Sequence, residues 1–198
     1  MSAPRPEPGS ALLLVDVQND FCPGGALAVP EGDRVAPVLS AWARTFAAAG
    51  RPVYASRDWH PAESAHFAAG GGPWPPHCIQ DTPGADLHPA LTLPAGAVVL
   101  SKGMDPAESG GYSAFEAVDA DGGTLAERLR AVGVTHLYVG GLATDYCVRA
   151  SVLDALRAGL RVSVIGDGVR GVEVQPGDSA RALDEMRAAG AELLEGDS

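Results

Sequence analysis

Three side chains able to attack carbon or move a proton stand where apolar runs give out. Asp16 is the one charge in "ALLLVDV", Lys102 follows the apolar part of "AVVLSKG", and Cys147 lies just beyond the strand-like "THLYVGG", in "LATDYC". A carboxylate inside such a strand costs several kcal/mol unless it is partnered or stands at the strand's open end. A thiol has a reference pKa of about 8.5; a helix start and a nearby ammonium favour the thiolate, and a neighbouring carboxylate can take the proton and return it. Alone, a free cysteine is more often a small core residue. An acid, an amine and a thiol at three strand ends favour nucleophilic catalysis.

A second group lies in "RDWHPAESAHF" and "WPPHCI". Asp58 and His60 are separated by one residue, and His66 and His77 follow. One carboxylate with two or three imidazoles suits one divalent ion, zinc first, with iron or manganese as alternatives. No HExxH or paired CxxC pattern competes. His88 and His136 read as hydrogen-bonded residues without a ligand role, and Cys22 and Cys78 as bystanders. "GDGVRG" at 166–171 matches GxGxxG, but "VEVQPGD" follows it where a helix should begin. It reads as a loop, without the geometry that cradles a dinucleotide.

The elements that must position these residues alternate. "ALLLVDV", "PVYAS", "AVVLSKG", "THLYVGG" and "RVSVIGD" read as strands, and "AELL" can close the sheet. Between them, Val35, Val38, Leu39, Trp42 and Phe46 recur at helical spacing, and Thr124 with Glu127 has capping-box spacing before another helix. "TDYCVRASVLDALRAG" and "PGDSARALDEMRAAG" read as two more. Gly140 and Gly141 are expected to let the chain turn and deliver Cys147 to a helix start. The pattern predicts an α/β fold, a three-layer sandwich of a mostly parallel sheet between helices, with ligands at the carboxyl ends of strands. The stretch from Arg57 to Ala97 is proline-dense and holds four of the five histidines. A long connection of that kind is more often functional than idle.

The 198 residues suit a single domain over 11–198, after a disordered lead-in over 1–10. A net charge of -11 argues against nucleic acid and anionic membrane as partners. No apolar run reaches the roughly 20 residues of a membrane span, and "MSAPRPEPGS" lacks the apolar core of a signal peptide. Three cysteines suggest free thiols in a reducing compartment, the cytoplasm. A homo-oligomer is left open.

The ordered set "LLLVDVQNDFCPGGALAV", "SRDWHP", "WPPHCIQDTPGADLHPAL", "SKGMDPAESGGYSAF" and "GGLATDYCVRASVLDALRAGLRV" resembles the nicotinamidases of the isochorismatase-like cysteine hydrolase superfamily. The resemblance runs, with gaps, from Ala11 to Val172. It implies a six-stranded parallel sheet and hydrolysis of nicotinamide to nicotinate and ammonia through a thioester, with related carboxamides such as pyrazinamide as further substrates. By position it makes Asp16 the proton acceptor, Lys102 the third triad member and Cys147 the nucleophile. Asp58, His60 and His77 become metal ligands, and His66 matches a ligand found in only some members. Phe21, Leu27, Trp74 and Tyr112 are similar to residues that wall the aromatic ring, with Ala143 and Tyr146 beside it. The family's cis peptide before the residue matching Ala143 implies an oxyanion hole from the Ala143 and Cys147 N–H groups. The alternatives are another amidase of the superfamily, acting on a carbamoyl or ureido group, and a non-catalytic α/β metal-binding protein.

Overall fold

The computed structural model describes residues 6–107 and 111–194. Residues 1–5 of the expected lead-in, 108–110 and 195–198 lie outside the described residues. Six strands, β1 (Ser10–Val15), β2 (Val53–Asp58), β3 (Val98–Lys102), β4 (His136–Leu142), β5 (Arg161–Arg170) and β6 (Glu192–Leu194), form one sheet. Their order is β3-β2-β1-β4-β5-β6, and every neighbouring pair is parallel. Helices α1 (Val35–Ala48), α2 (Leu125–Ala131), α3 (Arg149–Arg157) and α4 (Asp178–Ala188) cover its faces.

β1 shows why the expected continuous apolar run is needed: it is buried along its whole length. Its period of two feeds two separate cores. Leu12 and Leu14 pack with Leu39, Trp42 and Phe46 of α1, whereas Leu13 and Val15 pack with Leu129, Val152 and Met186 from α2, α3 and α4. Each buried leucine contributes about 2 kcal/mol of transfer free energy. The chain runs outward from β1 to β3, then returns to lay β4 against the other side of β1. That reversal opens a crevice at the carboxyl ends of β1 and β4, where parallel α/β sheets take ligands.

Two local expectations are corrected. Gly140 and Gly141 make no turn; they lie inside β4. Gly141 has φ +134°, and a Cβ there would stand 2.0 Å from the Val15 carbonyl oxygen, so only glycine lets β4 approach β1 this closely. The chain leaves the strand one residue later, at a cis Leu142–Ala143 peptide. Nor is "GDGVRG" a loop: 166–170 continue β5. Between Val139 and Gly141 of β4 the paired residue jumps from Val164 to Val169, so β5 bulges and then resumes pairing. No helix starts there, and the phosphate-cradling geometry is absent from this segment.

The capping box at α2 forms as its spacing predicts, Thr124 Oγ1 accepting from Glu127 N–H and the Glu127 carboxylate accepting from Thr124 N–H. Thr124→Ala is expected to destabilise the fold by about 1 kcal/mol. Urea unfolding would show a lower midpoint at unchanged slope.

Candidate active site

Asp16 follows β1, Asp58 ends β2, Lys102 ends β3, and Cys147 lies in a π-helical turn, Thr144–Val148, between β4 and α3. All four therefore sit at one edge of the sheet. Lys102 is two strands from β1, and its long side chain crosses the end of β2 to close the gap. Its Nζ lies 2.9 Å from Asp16 Oδ2 and 3.6 Å from Cys147 Sγ, and donates to Asp58 Oδ1. Asp16, Asp58 and Cys147 each offer an atom within 4.8 Å of the others.

With Asp16 0 % and Lys102 1 % exposed, these charges are solvated by one another and not by water. Burial alone would pull the Lys102 ammonium down, but the Asp16 and Asp58 carboxylates raise it well above its ordinary range. Burial would lift Asp58, yet the Lys102 ammonium holds it below the usual carboxylate range. Burial dominates at Asp16 and raises it, with Lys102 opposing. At Cys147, burial pushes the thiol well up; Lys102 pulls it back, and Asp16 and Asp58 add to the rise. Lys102 still biases the sulfur toward thiolate, but burial, Asp16 and Asp58 together outweigh it. The balance favours the thiol, and Lys102 Nζ stands within hydrogen-bond reach of its Sγ.

Two supporting residues escaped the sequence reading. Ser56 Oγ donates to Asp16 Oδ1 at 2.7 Å. The buried Gln18 amide brackets the Asp58 backbone, its Nε2 donating to the Asp58 carbonyl and its Oε1 accepting the Asp58 N–H, both at 2.8 Å. The available signal was the same one that marked Asp16: polar residues at the ends of buried apolar runs.

Beside this group, His60, His66 and His77 each present a nitrogen within 4.8 Å of the others. His60 Nδ1 lies 2.9 Å from the Gly103 carbonyl and His77 Nδ1 2.8 Å from the Pro75 carbonyl. A carbonyl only accepts, so each Nδ1 carries the proton and each Nε2 offers a lone pair. His60 Nε2 is buried without a hydrogen-bond partner among the described residues. Burial pushes His77 down to about 4, against the opposing Pro75 hydrogen bond, so the ring is neutral near pH 7. This donor set fits a divalent metal ion. Asp58 is split between the two centres: Oδ1 serves Lys102, and Oδ2 faces His60 Nε2 at 3.7 Å.

Beside both centres opens a cleft walled mainly by aromatic and apolar side chains, the kind of site that takes a small ring-bearing ligand. Phe21, Leu27, Trp74, Tyr112, Ala143 and Tyr146 line it, with Asp58, His66, His77 and Cys147 also at its surface. Trp74 Nε1 donates to Tyr112 Oη at 3.0 Å, and its ring meets Tyr146 edge-on at 5.0 Å. Val172 also lines it, a residue the sequence reading did not single out.

His136 is buried with Nε2 2.9 Å from Ser163 Oγ, and His88 Nδ1 accepts the Ala90 N–H. All three cysteines are free. Burial raises the Cys22 thiol to about 11 and that of Cys78 well above its ordinary value. Cys78 contributes through its backbone, its carbonyl accepting the His60 N–H at 3.0 Å. Among the described residues no helix is long and apolar enough to cross a membrane.

A family model described as the isochorismatase domain matches residues 10–198. The chain is 48% identical to a protein named nicotinamidase from Escherichia coli, covering 94% of each chain. It is 44% identical to a nicotinamidase/pyrazinamidase from Mycobacterium tuberculosis, covering 93% of this chain and 97% of that one. Among solved structures, the pyrazinamidase of Pyrococcus horikoshii in complex with zinc superposes with a TM-score of 0.87 at 45% identity, covering 96% of this chain and 100% of the other. With the sheet order, the strand-end residues and these matches in agreement, the chain belongs to the isochorismatase family.

Proposed function

We propose that this chain is a metal-containing cysteine amidohydrolase that converts nicotinamide to nicotinate and ammonia, an activity of NAD salvage, and that it also accepts related small aromatic carboxamides such as pyrazinamide. The observation that carries the reading is the convergence of Asp16, Lys102 and Cys147 at an aromatic-walled cleft, beside three histidines. The names of the relatives at 48% and 44% identity support the substrate.

In this reading Asp16 takes the proton from Cys147 as Sγ attacks the carboxamide carbon. The N–H groups of Ala143 and Cys147 receive the oxyanion, a donor pair of a kind worth about 3 kcal/mol each. Asp16 then gives its proton to the departing nitrogen, ammonia leaves, and a thioester remains. Water adds to the thioester as Asp16 accepts its proton. Collapse expels the sulfur, which recovers that proton, and nicotinate is released. Lys102 keeps Asp16 ionised between proton transfers. Phe21, Leu27, Trp74, Tyr112 and Tyr146 hold the ring. His60, His66 and His77, with Asp58 beside them, would hold the divalent ion, zinc by the likeness to the zinc-bound relative. An ion held there would supply a Lewis-acid centre beside the substrate pocket. The three free thiols support a reducing compartment, the cytoplasm, as the working location.

The test is formation of nicotinate and ammonia in equal amounts from nicotinamide, with an N-carbamoyl amino acid as competing substrate. Faster turnover of the carbamoyl compound would overturn the substrate assignment. Stripping the metal with a chelator is expected to lower turnover about 10²-fold, with zinc, iron(II) or manganese restoring it. Full turnover in a sample shown metal-free by elemental analysis would remove the histidines from the site.

A further inference from the structure

The segment after β5 has no regular structure, yet it is tied down at two points, and both ties bear on the cleft. Asp145 sits in the π-helical turn two residues before Cys147. Its Oδ1 accepts the Val172 N–H and its Oδ2 the Glu173 N–H, both at 2.9 Å. Glu173, at φ +57°, in turn accepts the N–H groups of Gly177 and Ser179 at the start of α4, at 2.7 and 2.8 Å. Gly171 shows how tightly the strap is seated. A Cβ at that position would stand 1.8 Å from Ser179 Oγ and 3.1 Å from Asp145 Oδ1. Val172, held by the first of these ties, lines the cleft that Tyr146 and Cys147 also line.

We propose that Asp145 is a positioning residue that sets the width of the ring pocket, fastening the Val172 wall to the turn that carries the nucleophile and so confining the substrate to a single six-membered ring. The inference rests on the amidohydrolase reading above. The carboxylate holds two adjacent N–H groups at once, so the wall and the sulfur move as one body. A neutral side chain without two acceptor oxygens cannot hold both. Released from Asp145, the strap keeps its α4 tie and the packing of Val172 against the apolar core, but loses the hydrogen bonds that seat Val172 at the cleft.

The experiment compares Asp145→Ala, Asp145→Asn and Val172→Ala with the parent chain, using nicotinamide and the fused-ring probe quinoline-3-carboxamide. Asp145→Ala is expected to raise KM for nicotinamide about tenfold with kcat changed less than about threefold, the split expected of lost positioning. The ratio of kcat/KM for the fused probe to that for nicotinamide should rise about tenfold. Asp145→Asn, keeping one acceptor, should fall between. Val172→Ala should reproduce the shift in ratio with the tether intact. Amide hydrogen exchange supplies the readout that needs no substrate: Asp145→Ala should speed exchange at Val172 and Glu173 about tenfold and leave β4 unchanged. Unchanged exchange at those two amides overturns the tether. Faster exchange with an unchanged substrate ratio, or a loss confined to kcat, overturns its role in selectivity. A parent chain that makes no nicotinate would sink the amidohydrolase reading instead, and exchange alone would then decide the tether.

Discussion

Cys147→Ala is expected to lower nicotinate formation from nicotinamide by about 10⁴-fold or more, equivalent to about 5.5 kcal/mol of transition-state stabilisation. The size follows from the chemistry: without the sulfur there is no thioester, and water must attack the carboxamide directly. Cys147 is the one thiol among the described residues lining the cleft, and Asp58, His66 and His77 there are engaged with Lys102 or with the proposed metal site. The oxyanion donors and the ring pocket remain, so ligand affinity should persist. Titration calorimetry with nicotinate should return a dissociation constant within about threefold of the parent value. Cys147 is 5 % exposed and belongs to the core shared with Val148 and Val152, so some loss of stability from the missing sulfur is expected, about 1 kcal/mol by analogy with deleting one buried methylene-sized group. Thermal unfolding would separate that loss from a failure to fold. Turnover within about tenfold of the parent rate in a folded Cys147→Ala protein would refute the nucleophile assignment.

What could be read from the residues alone was whatever local pattern dictates. The apolar runs of β1 to β5 marked the sheet, and because an unpaired charge buried inside such a strand is costly, Asp16, Lys102 and Cys147 stood out at the strand ends. The capping box of α2 was legible because it spans only four residues. Features fixed by distant partners were not legible. Gly141 looks like a turn former until Val15 is placed beside it, and the bulge in β5 depends on which residues of β4 it pairs with. Gln18 acts on a backbone forty residues away, and Asp145 on one twenty-seven residues away. The ionisation of the site was the least legible of all. Lys102 next to Cys147 suggests a thiolate on paper; burying four interacting groups together reverses the sign.

That reversal makes Asp16→Asn the most diagnostic substitution. Turnover is expected to fall about 10³- to 10⁴-fold, since in the proposed mechanism proton transfer to and from sulfur, nitrogen and water all runs through this carboxylate. The thiol should respond in the opposite sense. In the parent chain burial raises the Cys147 pKa most, and Asp16 raises it further by its charge and its hydrogen bond, while Lys102 lowers it. Removing the Asp16 charge leaves the Lys102 attraction for the thiolate opposed by Asp58 alone among the carboxylates named at that sulfur. The thiol pKa therefore falls, and the rate of iodoacetamide labelling at Cys147 should rise at lower pH than in the parent, by about tenfold at pH 7. Asparagine preserves the shape and can still accept the Ser56 hydroxyl, and Lys102 keeps Asp58, so the fold is expected to survive. A more reactive sulfur in a nearly inactive protein would mark Asp16 as the group that moves the proton. If labelling slows together with turnover, Asp16 activates the thiol by its charge instead, and the proton acceptor must be sought elsewhere.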